Sequence, residues 1–499
     1  MQSGYYPNWV RGGHIMLQLN RNEYMDKLHA CWIGKNVGGT MGAPFEGSRA
    51  VMNVTGYTHE SNEPLPNDDL DLQLVWLCAM EDVGAKSFNI NTLADYWLDW
   101  IPPHWNEYGI CKTNLRMGLL PPLSGEMDNE KWKHSNGAWI RSEIWAALAP
   151  GRPEIAVKYA IMDAMYDHGC GEGVYAEIFT AGMQSMAYLE SDIHKLIDSA
   201  LARIPADSMT AKTIRLVIDC HNSGVPYLEA RERVVEFNKE LGWFQVPGNI
   251  GFTIIGLLYG EGDYKKSLCY AINCGDDTDC TAATVGATLG IIGGTSGIPD
   301  ELKKRIGDRI ITVSINGMYS GRIPKTCTEL TSRTAALVPS VMQANGIDFG
   351  FTDGETVNDE EPESIWRVPE IKFLLERSPY SCDITNYTAF NTRVEFDELP
   401  RISSGESRRV KLKFFCNSNG VESRKLQFRL LLPDGWTCEK YARTLSLLYR
   451  QPPHGLFGTA ETEFTVIAGE NIDAINRLYM EVTCPTMAYP VLVPIIFIG

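Results

Sequence analysis

Hydrophobic positions recur at helical spacing over the first two-thirds of the chain and at alternating spacing over the last fifth. Tyr24, Leu28, Cys31 and Trp32 form an i, i+4, i+7, i+8 stripe, which predicts a helix with one buried face. Leu70, Leu72, Leu74, Val75, Leu77, Cys78 and Met80 are apolar on nearly every side, as in a central helix surrounded by others. Asn91 is placed to cap a helix over 92–100, and Arg152-Pro153-Glu154 opens another with proline at its first position. Further helices are expected at about 173–189, 193–204, 210–222, 227–240, 249–259, 264–273, 281–293 and 327–343. No βαβ alternation and no GxGxxG after a strand occurs, which removes a dinucleotide-binding fold. Residues 16–347 therefore read as one all-α domain.

The pattern then changes twice. Residues 348–390 read as an acidic linker and connecting segment, because Asp353, Glu355, Asp359, Glu360, Glu361 and Glu363 crowd a stretch with few core positions. From 391 to 499 the period is two: Val410, Leu412 and Phe414 alternate with lysines, and Leu426, Phe428 and Leu430 with Gln427 and Arg429. Pro433-Asp434-Gly435 and Ala468-Gly469-Glu470 supply turns at sandwich-like spacing. The expected architecture is multidomain, an all-α domain followed by a small all-β, immunoglobulin-like sandwich. Nothing in the sandwich reads as chemistry.

Composition narrows the function. A formal charge of −17 over 499 residues argues against a polyanion-binding surface, hence against nucleic acid as partner. It leaves room for a phosphate-bearing small molecule held by local donors or a metal. No apolar run is long enough to span a membrane. Residues 1–15 lack the apolar core of a signal peptide, and Met16 is an alternative start. The thirteen cysteines show no CxxC pairing and sit mostly in apolar runs, which speaks against a disulfide framework or zinc knuckle and for a reducing, cytoplasmic compartment.

Four stretches carry candidate chemistry. Asn273-Cys274-Gly275-Asp276-Asp277-Thr278-Asp279-Cys280 sets three carboxylates between two apolar helical runs. Desolvating each charge there costs several kcal/mol unless a cation or hydrogen-bond donors compensate. Two readings stand: a hard-cation site, since carboxylate oxygens are what Mg²⁺, Mn²⁺ and Ca²⁺ prefer, or a helix N-cap through Asp276 or Asp277. Pro66-Asn67-Asp68-Asp69-Leu70-Asp71 heads the most apolar helix and poses the same choice; paired, the two clusters make a hard-oxygen site for one or two divalent cations. Gly34 to Glu46 is glycine-dense after a helix, consistent with close backbone approach or with a simple C-cap and loop. Ser135-Asn136-Gly137 precedes an apolar segment as a turn and possible anion-facing helix start; Arg141 is expected to pair with a carboxylate, and His168 to cap a helix C-terminus.

The order of these motifs resembles the ADP-ribosylglycohydrolase family over roughly 24–294: a glycine-rich loop with Glu46, Asn-Asp-Asp at a helix start, Ser-Asn-Gly-x-x-x-Arg, then Gly-Asp-Asp-Thr-Asp. The resemblance implies hydrolysis of the glycosidic bond of ADP-ribose attached to a protein side chain, or of a related ADP-ribosyl compound. It implies two Mg²⁺ ions, with Mn²⁺ or Ca²⁺ as substitutes. Metal ligation would fall on Asn67, Asp68, Asp69, Asp277 and Asp279. Catalytic roles would fall on Glu46, Asp69 and Asp277, and substrate contacts on Gly42, Asn136 and Gly137. The partner is then a small molecule or an ADP-ribosylated protein.

The chain departs from the family pattern at several points. Gly39 replaces an aspartate of the first loop, Asn67 and Cys280 replace threonine ligands, and Leu70 replaces a further threonine. The Asn67 carbonyl is still a hard donor, whereas the Cys280 thiol suits Mg²⁺ poorly; Asp276 adds a carboxylate that would compensate. Two alternatives follow: a glycoside hydrolase for another furanoside or nucleoside-like sugar, and a non-catalytic ADP-ribose binder.

Overall fold

The computed structural model describes residues 16–359, 364–384, 390–416, 424–447, 459–485 and 487–499. Residues 1–15, which lack the apolar core of a signal peptide, and residues 360–363 of the acidic stretch lie outside them. Helices dominate up to Ala344, and antiparallel sheets follow from Ser381.

The first helix, α1 (Arg21–Gly42), begins where Asn20 accepts the Glu23 N–H at 2.9 Å. It does not stop at the glycine-rich stretch, which the sequence reading made a loop, but runs through it. Gly34, Gly38 and Gly42 recur every fourth residue and lie against the helix Thr278–Gly297, which is broken at Gly294. A Cβ at Gly34 would stand 2.2 Å from the Gly286 carbonyl oxygen, one at Gly38 2.1 Å from that of Ala282, and one at Gly42 2.2 Å from that of Thr278. From the other side, a Cβ at Gly290 would stand 2.3 Å from the Ala30 oxygen. The two backbones touch along an antiparallel seam. Dense contact there offsets the roughly 0.5–1 kcal/mol each mid-helix glycine costs. The seam also decides where chemistry can sit, because it brings the end of α1 to the start of the later helix.

Helix α2 (Asp68–Val83) is buried from Asp69 through Met80, as its unbroken apolar run predicts. Trp76 packs against Trp97 and Tyr166, which also touch each other, with centroids 5.7–6.4 Å apart around the triangle. The helical part also holds a small sheet: β1 (Met16–Asn20) pairs in parallel with β2 (Asp348–Thr352) and antiparallel with β3 (Val357–Asn358). The stretch read as an acidic linker thus opens as a strand. Phe349 and Phe351 pack inward, Phe351 with its ring 5.3 Å from that of Tyr24, while Asp353 and Glu355 stay exposed.

The remaining strands are β4 (Ser381–Ile384), β5 (Phe390–Phe396), β6 (Ser407–Cys416), β7 (Arg424–Leu431), β8 (Thr437–Cys438), β9 (Thr444–Leu447), β10 (Thr459–Ile467), β11 (Ile475–Thr483) and β12 (Val491–Ile498). They form two sheets, ordered β4-β5-β6-β10-β8 and β12-β11-β7-β9. Val410, Leu412, Phe414, Leu426, Phe428, Leu478, Met480 and Val482 fill the space between, as their alternation predicts. Leu119, Leu123 and Met127 of the helical part belong to the same apolar core. No disulfide joins the described cysteines, and no helix among the described residues is long and apolar enough to cross a membrane.

Candidate active site

Three distant segments bring carboxylates together at the end of the glycine seam. Glu46 follows α1 after a short 3₁₀ turn, Asp68 and Asp69 open α2, and Asp277 and Asp279 open the Thr278–Gly297 helix. Ligand atoms of Glu46, Asp277 and Asp279 lie within 4.8 Å of one another, and so do those of Asp69, Asp279 and Cys280. Glu46 is exposed, whereas Asp69, Asp277 and Asp279 are buried.

The helix-cap reading of Asp277 finds no support, because its side chain makes no capping bond although it occupies the N-cap position. Its Oδ2 instead accepts the Asn136 amide at 2.7 Å, and its N–H donates to Asn249 Oδ1 at 3.2 Å. Asp276 belongs to the scaffold. Its backbone is left-handed (φ 65°), its N–H donates to the Ser48 carbonyl at 2.6 Å, and its carboxylate accepts the Phe244 N–H and the Asn249 amide. It is committed away from the cluster and does not compensate for Cys280. Asn67 caps α2, its Oδ1 accepting the Asp69 N–H at 2.7 Å, which uses one lone pair of the oxygen expected to face a metal. Its amide nitrogen occupies the space a Cβ at position 39 would need, 2.0 Å away. Gly39 and Asn67 therefore share one packing space, and a side chain at position 39 would collide with the asparagine.

Crowding sets the electrostatics. Burial, followed by Asp279, pushes Glu46 up to about 7. Burial, then Asp279 and Asp71, brings Asp68 to about 7. Burial drives Asp277 upward, reinforced by Asp279 and Asp69; it raises Asp69 as well, against the pull of Lys35. Asp279 Oδ1 is buried without a hydrogen-bond partner. Carboxylates that resist ionisation together, with an oxygen left over, fit a hard divalent cation, whose charge would reverse these shifts. Glu46, Asp277 and Asp279 supply the all-oxygen donor set.

The residues expected to touch substrate differ in placement. Gly42 is packed under Thr278, whose hydroxyl donates to the Gly42 carbonyl at 2.9 Å, so it sits in the seam. Gly137 is buried beneath Glu107, and Asn136 beside it reaches Asp277. The helix expected directly after this loop does not start there: the three-residue 3₁₀ turn Trp139–Arg141 comes first, then the six-residue helix Glu143–Leu148. Arg141 is fully buried and binds Asp163 and Asp167 at 2.8–2.9 Å while donating to the Gly137 carbonyl, which fixes the loop from below. His168 pins it from the side and does not act as a helix cap: its Nε2 accepts the Ala138 N–H at 2.9 Å.

Sequence reasoning missed Lys35, Glu107 and Glu143. Lys35 is buried with its ammonium 3.0 Å from Glu143 and 3.7 Å from Asp69. Glu107 is buried with Oε2 lacking a partner, and burial, then Asp167, pushes its carboxyl to about 8. Each was a single charged residue without a motif; the available signal for Lys35 was its position between Trp32, Ile33 and Val37 on an apolar helix.

A mainly helical body whose buried helices converge on a carboxylate cluster, with one exposed glutamate beside it, defines a class of helical proteins with a hard-oxygen donor set at their helix ends. The chain belongs to the ADP-ribosylglycohydrolase family, which matches residues 20–335. It is accordingly a hydrolase of glycosidase type, in a divalent-metal-dependent family that acts on ADP-ribose compounds. No curated protein matches the chain. Among solved structures, a FixG-related protein from Vibrio parahaemolyticus is similar at 12% identity, over 23% of this chain and 98% of that one, with a TM-score of 0.18.

Proposed function

We propose that the protein hydrolyses the glycosidic bond between ADP-ribose and a protein side chain, or that of a related ADP-ribosyl compound, with a divalent cation held by Glu46, Asp277 and Asp279. The convergence of these groups with Asp68 and Asp69 at one end of the α1 seam carries the reading. When bound, the cation supplies Lewis-acid polarisation and orientation of oxygen ligands. The chain's own residues do the rest. Glu46, the exposed member of the set and ionised beside the cation, suits accepting a proton from the attacking water at its carboxylate. Asn136 fixes the Asp277 carboxylate through its amide, and the loop that carries Asn136 is anchored by Arg141 and His168. Departure of the leaving group passes through an oxocarbenium-like state that the surrounding carboxylates stabilise.

Asp277→Asn removes a charge and keeps the shape. Loss of ADP-ribosyl hydrolysis at wild-type circular dichroism is expected, and unchanged turnover refutes the assignment. The thiol at position 280 and the shared packing of Gly39 and Asn67 also favour a second reading, a hydrolase for a different furanoside. A panel of ADP-ribosyl-arginine, ADP-ribosyl-serine and aryl furanosides separates the two by which substrate turns over.

A further inference from the structure

Lys35 lies one helical turn before Gly39 in α1 and is 1% exposed. Its ammonium touches Glu143 Oε2 at 3.0 Å and faces Asp69 Oδ2 at 3.7 Å. Glu143 has two further donors, Gln73 Nε2 at 2.9 Å and Gln184 Nε2 at 3.2 Å, so it is held from three sides. Asp69 is also occupied at its other oxygen, where the Cys280 thiol donates to Oδ1 at 3.2 Å.

The two ligand groups at the site therefore differ in kind. Glu46, Asp277 and Asp279 offer carboxylate oxygens only, and Asp279 Oδ1 is buried and unpartnered. The neighbouring group, Asp69, Asp279 and Cys280, contains a soft sulfur donor and a carboxylate with one oxygen hydrogen-bonded to the thiol and the other ion-paired, without a hydrogen bond, to an ammonium 3.7 Å away. A hard divalent cation at the second place would have to displace the thiol proton donor and approach a fixed positive charge across Asp69.

We infer that Lys35 stands in for one of two metal ions, its ammonium serving Asp69 so that the carboxylate cluster takes a single divalent cation. The inference rests on the metal-dependent reading given above and concerns only the number of ions. It makes Lys35 a positioning residue, holding Asp69 through charge while the cation occupies the Glu46 side of the cluster.

The test counts ions without using catalysis. The full chain, stripped with chelator, is titrated with Mn²⁺, and the free ion is followed by electron paramagnetic resonance. One Mn²⁺ per chain is expected for the wild type and for Cys280→Thr, which supplies an oxygen donor but leaves Lys35 in place. Two are expected for Lys35→Met combined with Cys280→Thr; Glu143 there keeps its two glutamine donors. Two ions in the wild type or in Cys280→Thr overturn the role of Lys35 while leaving the hydrolase reading intact. A single ion in the double variant at native circular dichroism overturns it as well. No ion in the wild type overturns metal dependence itself and this inference with it. Should the double variant not fold, the wild-type and Cys280→Thr counts still decide.

Discussion

Lowering the pH should loosen the Asn136 loop through one side chain, His168. Its ring is fully buried at the end of the helix Pro153–His168. Nδ1 lies 3.2 Å from the Lys133 carbonyl and Nε2 accepts the Ala138 N–H, so only the neutral tautomer with its proton on Nδ1 satisfies both. Burial holds its pKa down at about 4, against the attraction of Asp167. The unfolded chain takes up a proton below about 6.5, one that the folded state refuses. Stability from this group is therefore complete above pH 6.5, drains away as the pH falls toward 4 and then levels off. A displacement from 6.5 to about 4 corresponds to about 3 kcal/mol. Buried carboxyls act in the opposite direction: Glu107, raised to about 8, and Asp163, raised to about 6, bind protons sooner in the folded state and add stability as the pH falls. The raw pH profile mixes both signs, so the comparison is with His168→Gln, whose amide oxygen still accepts from Ala138 and does not titrate. Urea unfolding at half-unit steps from pH 7.5 to 4 should show the wild type losing about 3 kcal/mol relative to the variant. Parallel profiles for the two proteins refute the argument.

The seam and the sandwich give two further tests. Gly38→Ala drives a Cβ to 2.1 Å from the Ala282 oxygen and should cost about 3 kcal/mol in chemical denaturation. Gly293→Ala, with nothing within 4 Å, should gain up to about 1 kcal/mol, and equal effects would show the seam to be loose. In the sandwich, Asp383 is buried between Arg377 and Arg393; burial pushes its carboxyl up, but the two guanidinium groups pull it to about 2. Asp383→Ala should destabilise by about 3–5 kcal/mol, and the wild type should keep this contribution until the pH falls below about 4. A melting temperature unchanged in Asp383→Ala would show that the cluster contributes nothing.

The helices were readable because apolar residues at 3.6-residue spacing have one explanation, and the sandwich because alternation has another. What escaped was long-range. Glycine breaks helices in isolation, so Gly34–Gly42 read as a loop; only contact with Gly286 and Ala282, about 240 residues away in sequence, makes a glycine-rich helix favourable. Likewise β2 pairs with β1 across more than 300 residues, and the acidic residues just after it masked Phe349 and Phe351. The carboxylates stood out because ionised groups beside apolar runs demand compensation. Their roles did not: Asp276 and Asp277 are adjacent and chemically identical, and only the left-handed backbone at Asp276 turns the first toward Phe244 and leaves the second for Asn136.

The docking of the helical part on the sandwich has a consequence for how the chain holds together. Leu119 and Leu123 plug into the core beside Cys382, Ile384, Val394 and Ile496, Asn91 donates to the Asp383 carbonyl at 2.7 Å, and Arg401 pairs with Asp128 at 2.6 Å. A chain cut near residue 347 would expose three fully apolar side chains on the same segment that leads into the Asn136 loop. The sandwich thus covers apolar side chains of the helical part, and the two should unfold in a single transition.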